Sequence, residues 1–217
     1  MNLKVFTTIY FTNSILEIIF GTIQYQTGVF TTKPLIMILI IVFYFLQTQN
    51  HHNFQDRLIL IGFFFSLLGD TFLMFNGEQY FRFGLGSFLI THLFYIFVFS
   101  RNRLKVNLLA RIFFFLFSGI MLFILQQNIN DSLLIPIVIY MITITIMAVM
   151  ASERNTNSSS YQLVLFGAIL FVLSDSLIAL DKFVIPIPFP TLLIMGTYIL
   201  AQYLIAVGFL TRNSLTS

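Results

Sequence analysis

The sequence predicts an all-α polytopic membrane bundle of eight transmembrane helices. Three observations predict it. Hydrophobic residues make up 58% of the 217 residues and charged residues only 9%, where a soluble domain carries about 25% charged, so there are too few polar groups to cover a water-facing surface. Apolar runs near the length of one bilayer crossing, about 20 residues, recur along the whole chain and leave no stretch for a sizeable soluble domain. Counted as eight crossings, these runs also sort the cationic residues by side.

The first run, Leu3–Gln24, has a single lysine, Lys4, at its start and no small-x-small site closing it, which predicts a retained helix and not a cleaved signal. The second, Pro34–Gln49, is the shortest; Lys33-Pro34 is expected to open it, because proline in the first turn forfeits no helical bond. The polar linker Gln47–Asp56 leads to Arg57–Phe75, and Tyr80–Ser100 and Leu104–Leu125 follow. Linkers Gln126–Asp131 and Ser152–Ser160 bound the sixth run, Ser132–Ala151, and the seventh, Tyr161–Leu180. Pro186, Pro188 and Pro190 then break the chain before the eighth, Thr191–Thr211. Both termini fall on one side, with Lys4, Arg57, Arg101, Arg103, Lys105, Arg111, Arg154 and Arg212; only Lys33, Arg82 and Lys182 fall on the other. The positive-inside rule puts the richer side in the cytoplasm, with the cell membrane as the default location for a bacterial chain.

Several function classes drop out. The chain has no cysteine, which removes disulfides, thiolate nucleophiles and cysteine-ligated metals. The net charge of +3 comes with no basic run carrying interleaved aromatics, so no nucleic-acid partner is expected. There is neither a His-Glu-x-x-His helix nor a glycine-rich phosphate loop, and no metal or other cofactor is expected. Gly69-Asp70 invites comparison with intramembrane aspartyl proteases, but Leu67 stands where a glycine is required and Ser174 where a tyrosine is.

The chain repeats itself. Phe65-Ser66-Leu67-Leu68-Gly69-Asp70-Thr71 in the third run resembles Phe171-Val172-Leu173-Ser174-Asp175-Ser176 in the seventh, and Gly86-Ser87-Phe88 through His92 in the fourth resembles Gly196-Thr197-Tyr198 through Gln202 in the eighth. Two halves of the same orientation, roughly residues 1–103 and 104–217, would be related by an axis along the membrane normal. Asp70 lies 13 residues after Arg57, about 20 Å along a helix rising 1.5 Å per residue. Asp175 makes a similar climb from Tyr161, as does Glu17 from Lys4, so the three acids share a layer, with His92 and Gln202 near mid-membrane. An ionised aspartate at that depth costs about 2.5–3.5 kcal/mol on insertion scales, so such groups face a bundle interior or cavity. Two carboxyl groups in one dry cavity do not both ionise cheaply, leaving an acid beside a carboxylate, the pairing that acid–base chemistry uses. Asp70 and Asp175 are therefore the candidate catalytic pair. His92, Tyr198 and Gln202 are candidates for binding substrate or orienting water, with Glu17 and Lys33 as further binding candidates. His51-His52 is expected in a solvated loop, and Gly84 and Gly86 as packing residues that let helices approach.

Taken together these motifs resemble the YhhN family over nearly the whole chain. The resemblance rests on Lys33-Pro34, on Ser66-Leu67-Leu68-Gly69-Asp70, on Gly86-Ser87-Phe88 through His92 and Tyr95, on Pro136 to Tyr140 with Met147, on Phe171-Val172-Leu173-Ser174-Asp175, and on Tyr198 with Ala201-Gln202. It implies a single transmembrane domain over 1–217 and a lysoplasmalogenase-like activity. That activity is hydrolysis of the vinyl-ether bond of an alkenyl-glycerophosphocholine or -ethanolamine to a fatty aldehyde and a glycerophospho-alcohol. The implied partners are a lysophospholipid and the surrounding membrane lipids. Protonation of the vinyl-ether β-carbon gives an oxocarbenium ion that water captures, so one acid and one carboxylate are needed, and a bell-shaped pH profile is expected. A small proton-coupled transporter, or a lipid-binding protein without catalysis, is the alternative that duplicated halves and mid-membrane acids also suit.

Overall fold

The structure is a computed structural model and describes residues 2–49, 53–101 and 105–213. Every regular element among them is helical: α1 (Leu3–Thr22), α2 (Gln26–Thr48), α3 (Phe54–Phe72), α4 (Glu78–Ser100), α5 (Leu108–Leu125), α6 (Asp131–Ser152), α7 (Ser158–Phe183) and α8 (Pro190–Leu210). Seven of the eight are long and apolar enough to cross a membrane, which with the composition makes this an integral, multi-pass membrane protein. The exception is α3, whose 19 residues carry Asp56, Arg57 and Asp70.

The contacts divide into two compact units, Met1–Thr91 and His92–Ser217, with the division inside α4. In the first unit α1 and α2 form a hairpin. Its turn passes through Gln24, which has a left-handed φ of 57°, and Gly28 lets the helices close, since a Cβ there would lie 2.5 Å from the Phe20 ring. Phe6 stacks on Phe43 with ring centroids 3.9 Å apart, and the Asn13 amide donates to the Thr32 carbonyl at 2.9 Å. Because this hairpin is so tight, α2 begins at Gln26, not at the expected Lys33-Pro34. Pro34 lies inside the helix, where membrane helices tolerate proline because neighbouring groups re-satisfy the freed backbone.

The Tyr44 hydroxyl donates to Asp56 at 2.6 Å. That bond draws Asp56 out of the expected linker and into the first turn of α3, where it is buried and where the helix N-terminus favours a negative charge. The capping side chain is Asn53, which accepts from the Gln55 amide. Further along, Ser66 bonds Thr91 at 3.2 Å, Thr91 donates to the Gly62 carbonyl at 3.1 Å, and a Cβ on Gly69 would strike the Phe88 ring at 2.7 Å. Gly84 is a packing glycine as expected, with Leu73 only 2.8 Å from where its Cβ would be, but Gly86 is not: a Cβ there meets nothing within 4 Å. Two residues are about 200° of helical turn, so the two glycines cannot serve one neighbour. His51-His52 and the expected start of the fifth run at Leu104 lie outside the described residues; α5 begins at Leu108.

In the second unit α7 and α8 are registered by small residues at heptad spacing. The Ser160 hydroxyl donates to the Gly208 carbonyl at 2.6 Å. A Cβ on Gly167 would sit 2.9 Å from the Ala201 carbonyl, and Ser174 donates to the Ile194 carbonyl at 3.1 Å. Small residues let the two backbones approach, and hydroxyl bonds hold them in a medium where hydrophobic association is absent. The left-handed Phe189 and then Pro190 at the first turn open α8.

At one end of this unit Glu153, wholly buried, receives the Arg111 guanidinium at 2.6 and 2.9 Å and the Asn107 amide at 3.0 Å. The Arg111 bond holds the Glu153 carboxyl below its usual range, against the opposing effect of burial. A depressed folded-state value means that this stabilisation is fully present above the ordinary glutamate range and is lost as pH falls through the lowered value. The thermal midpoint of the detergent-solubilised protein should therefore fall as pH drops below about 4. Glu153→Gln should start from a lower midpoint and show a weaker fall; an identical slope in the variant would exclude Glu153 as the group responsible.

Candidate functional site

The α7–α8 register fixes the direction of the site's carboxylate. Ser174 is tied to α8, and the next residue lies about 100° further round the helix, where Asp175 meets α6. There the Tyr140 hydroxyl donates to Asp175 Oδ2. The same hydroxyl lies 3.0 Å from His92 Nε2, which is itself 3.7 Å from Asp175 Oδ2. His92 and Tyr140 are buried, whereas the Asp175 side chain keeps 15% of its surface.

A second layer backs this one. The edge of His92 meets Phe171 at 4.7 Å between ring centroids, and Phe171 meets Tyr198 edge-on at 5.6 Å. Gln202, fully buried, accepts from the Tyr95 hydroxyl at 2.9 Å and donates to the Tyr198 hydroxyl at 3.3 Å. Four of the sequence-predicted residues, Asp175, His92, Tyr198 and Gln202, thus belong to one connected group in the second unit. The other three lie in the first unit. Asp70 is buried in the last turn of α3. Glu17 is buried and accepts from the Thr32 hydroxyl, and Lys33, half-buried, acts on it electrostatically.

Sequence reasoning did not place Tyr140 or Tyr95 among the site residues, although both stand in the motifs quoted for the resemblance. A tyrosine in an apolar run reads as core or interface, and nothing local to the sequence shows that its hydroxyl meets a carboxylate 35 residues away. The signal that could have found it is its burial requirement: a buried phenol needs a partner, and Asp175 is the acid nearest mid-helix in the next run. Thr32 was likewise unremarked, and it fixes Glu17 by bonding it while also donating to the Gly28 carbonyl at 2.9 Å.

Chemically, the second-unit group offers one partly accessible carboxylate with one oxygen bonded to Tyr140, an imidazole one bond behind it, and a buried layer of amide and phenol hydrogen bonds. Comparisons with known proteins place the whole chain and not the individual residues of this group. The family model described as YhhN family matches residues 29–209. The lysoplasmalogenase TMEM86A of Bos taurus is 34% identical over 159 residues, 69% of this chain and 64% of that protein. The human TMEM86A is 33% identical over 155 residues, with the same two shares, 69% and 64%. The human lysoplasmalogenase TMEM86B is 30% identical over 125 residues, 58% of this chain and 52% of that protein. The chain thus covers less than two thirds of the length of these relatives. No solved structure matches it.

Proposed function

We propose that this chain, which belongs to the YhhN family, is a membrane-embedded hydrolase that cleaves the vinyl-ether bond of lysoplasmalogen by aspartate acid–base catalysis. The observation that carries the reading is the similarity to proteins named lysoplasmalogenase. The second-unit group supports it by supplying what vinyl-ether hydrolysis needs: a carboxylate with one oxygen held and one side open, surrounded by buried polar groups. Asp70 and Asp175 share the roles of proton donor to the β-carbon and carboxylate toward the oxocarbenium ion and its attacking water. Proton transfer of this kind contributes about 10²–10⁴-fold, and fixed negative charge beside a cation in a dry site contributes further. His92, Tyr198 and Gln202 bind the glycerol and head-group oxygens or hold water, and Glu17 and Lys33 are further binding candidates.

In this reading α3 is the eighth crossing, its Asp56 held by Tyr44, and both termini face the cytoplasm from the cell membrane. The absence of cysteine makes single-cysteine labelling from either side the direct check of that topology. The two halves of the chain are proposed to be repeats of one four-helix unit.

The test is to incubate purified, detergent-solubilised protein with alkenyl-lysophosphocholine and -ethanolamine and to measure aldehyde. Release without a sealed compartment supports the enzyme. Vesicle-dependent substrate movement with no aldehyde would instead identify a transporter.

A further inference from the structure

Asp175 is the one member of its hydrogen-bonded group with His92 and Tyr140 that is not buried, and its two oxygens are not equivalent. Oδ2 takes the Tyr140 proton, while the structure gives Oδ1 no hydrogen-bond partner among the described residues. The Tyr140 hydroxyl has a single proton, and it is committed to Asp175. Tyr140 must then accept from His92, so Nε2 of His92 carries hydrogen. Nδ1 of His92 is buried without a hydrogen-bond partner. A charged imidazolium would leave a buried N–H donor unmet at that atom, which costs more than an idle lone pair. With hydrogen on Nε2, both donors in the chain run one way, His92 to Tyr140 to Asp175.

From α6 the titratable group facing Asp175 is Tyr140, and from α4 it is His92. The only charged residue of α5 is Arg111, which is engaged by Glu153. No Asp, Glu, Lys, Arg or His occurs in α8, where Tyr198 and Tyr203 are the titratable residues. On α7 itself the nearest acid is Asp181, which accepts from the Ile187 amide at 2.9 Å.

We infer that Tyr140 is a positioning residue which, backed by His92, holds Asp175 as the carboxylate of the catalytic pair and leaves Oδ1 as the oxygen that reacts. This rests on the vinyl-ether hydrolysis proposed above and assigns roles within it. Asp70 is then the acid that gives its proton to the β-carbon. Water forms its bond to the resulting cationic carbon and passes one proton to Asp175 Oδ1. The hemiacetal collapses by breaking the carbon–oxygen bond to glycerol, its hydroxyl proton ending on the departing oxygen, and the proton on Asp175 restores the acid. One water is consumed, and one aldehyde and one alcohol form.

Tyr140→Phe keeps the ring and removes only the donor, so packing is retained. Loss of a hydrogen bond to a charged group predicts a fall in kcat of about ten- to a hundredfold with KM little changed. His92→Leu, which removes the donor to Tyr140, should lower kcat in the same direction as Tyr140→Phe, and His92→Gln, which keeps a donor, should lower it less. Infrared difference spectra against Asp175→Asn read the same group without substrate: the carboxylate stretch of Asp175 should shift in Tyr140→Phe, where Oδ2 has lost its donor. An unchanged kcat with no such shift in Tyr140→Phe overturns the assignment. A wild type that releases no aldehyde from any lysolipid sinks the hydrolase reading, and the infrared comparison alone then decides for or against Tyr140 holding the carboxylate.

Discussion

Asp70→Asn and Asp175→Asn should each lower aldehyde release by at least about a thousandfold, because each removes one half of an acid–base pair whose steps are worth about 10²–10⁴-fold apiece together with fixed charge beside the cation. Asparagine is nearly isosteric with aspartate, so the buried volume at α3 is unchanged and the Tyr140 hydroxyl still finds an oxygen at position 175. Both variants should insert, purify as a single species and keep the wild-type melting midpoint within a few degrees. What asparagine does not supply is a proton acidic enough for carbon or a full negative charge. The two variants should differ in one respect: exogenous formate or acetate, small enough to enter beside an asparagine, should recover more activity where a carboxylate is missing than where a positioned acid is. Wild-type-like turnover in either variant would remove that aspartate from the mechanism, and wild-type-like turnover in both would put the acid–base chemistry on other residues.

How much of this was legible from the sequence varies with the range of the interaction. Helix ends set by local chemistry were readable: α4, α6, α7 and α8 begin and end within a few residues of the expected runs, because asparagine caps, prolines and polar linkers act over one turn. The start of α2 was not, since the tight closure at Gly28 onto Phe20 depends on a partner in another helix, and no rule about Pro34 contains that information. Asp56 moved from linker to helix for the same reason, through Tyr44. At the site, burial of Asp70, His92 and Gln202 followed from the cost of polar groups in apolar runs. The identity of their partners did not, because which side chain satisfies a buried donor is fixed by helix register and not by composition. Tyr140 is the case that matters most: the hydropathy of α6 treats it as one more large side chain, and only the α6–α7 register makes it the group that holds Asp175.

That register is inherited from α7 and α8, and here one added side chain should have a large effect. Gly167→Leu should prevent the second unit from packing. The first added carbon alone would lie 2.8 Å from Ile205 Cγ1, 2.9 Å from the Ala201 carbonyl oxygen and 3.1 Å from the Ile205 amide nitrogen. Two of those three atoms are backbone, so no rotamer change relieves the contact and the helices must separate. Separation breaks the Ser160–Gly208 and Ser174–Ile194 bonds one heptad to either side, and with Ser174 released Asp175 loses the direction that brings it to Tyr140. Overpacking typically costs about 1–3 kcal/mol even when side chains can give, and against a backbone more, so the variant should aggregate or elute heterogeneously in detergent. Alanine gives a graded test with a control of opposite sign. Helix propensity favours Gly→Ala by about 1 kcal/mol at both Gly167 and Gly196, but an added Cβ at Gly196 meets nothing within 4 Å. Gly196→Ala should therefore raise the melting midpoint slightly while Gly167→Ala lowers it and reduces activity with it. If both alanines were equally stabilising, close approach at Gly167 would not be what sets the register, and the orientation of Asp175 would need another cause.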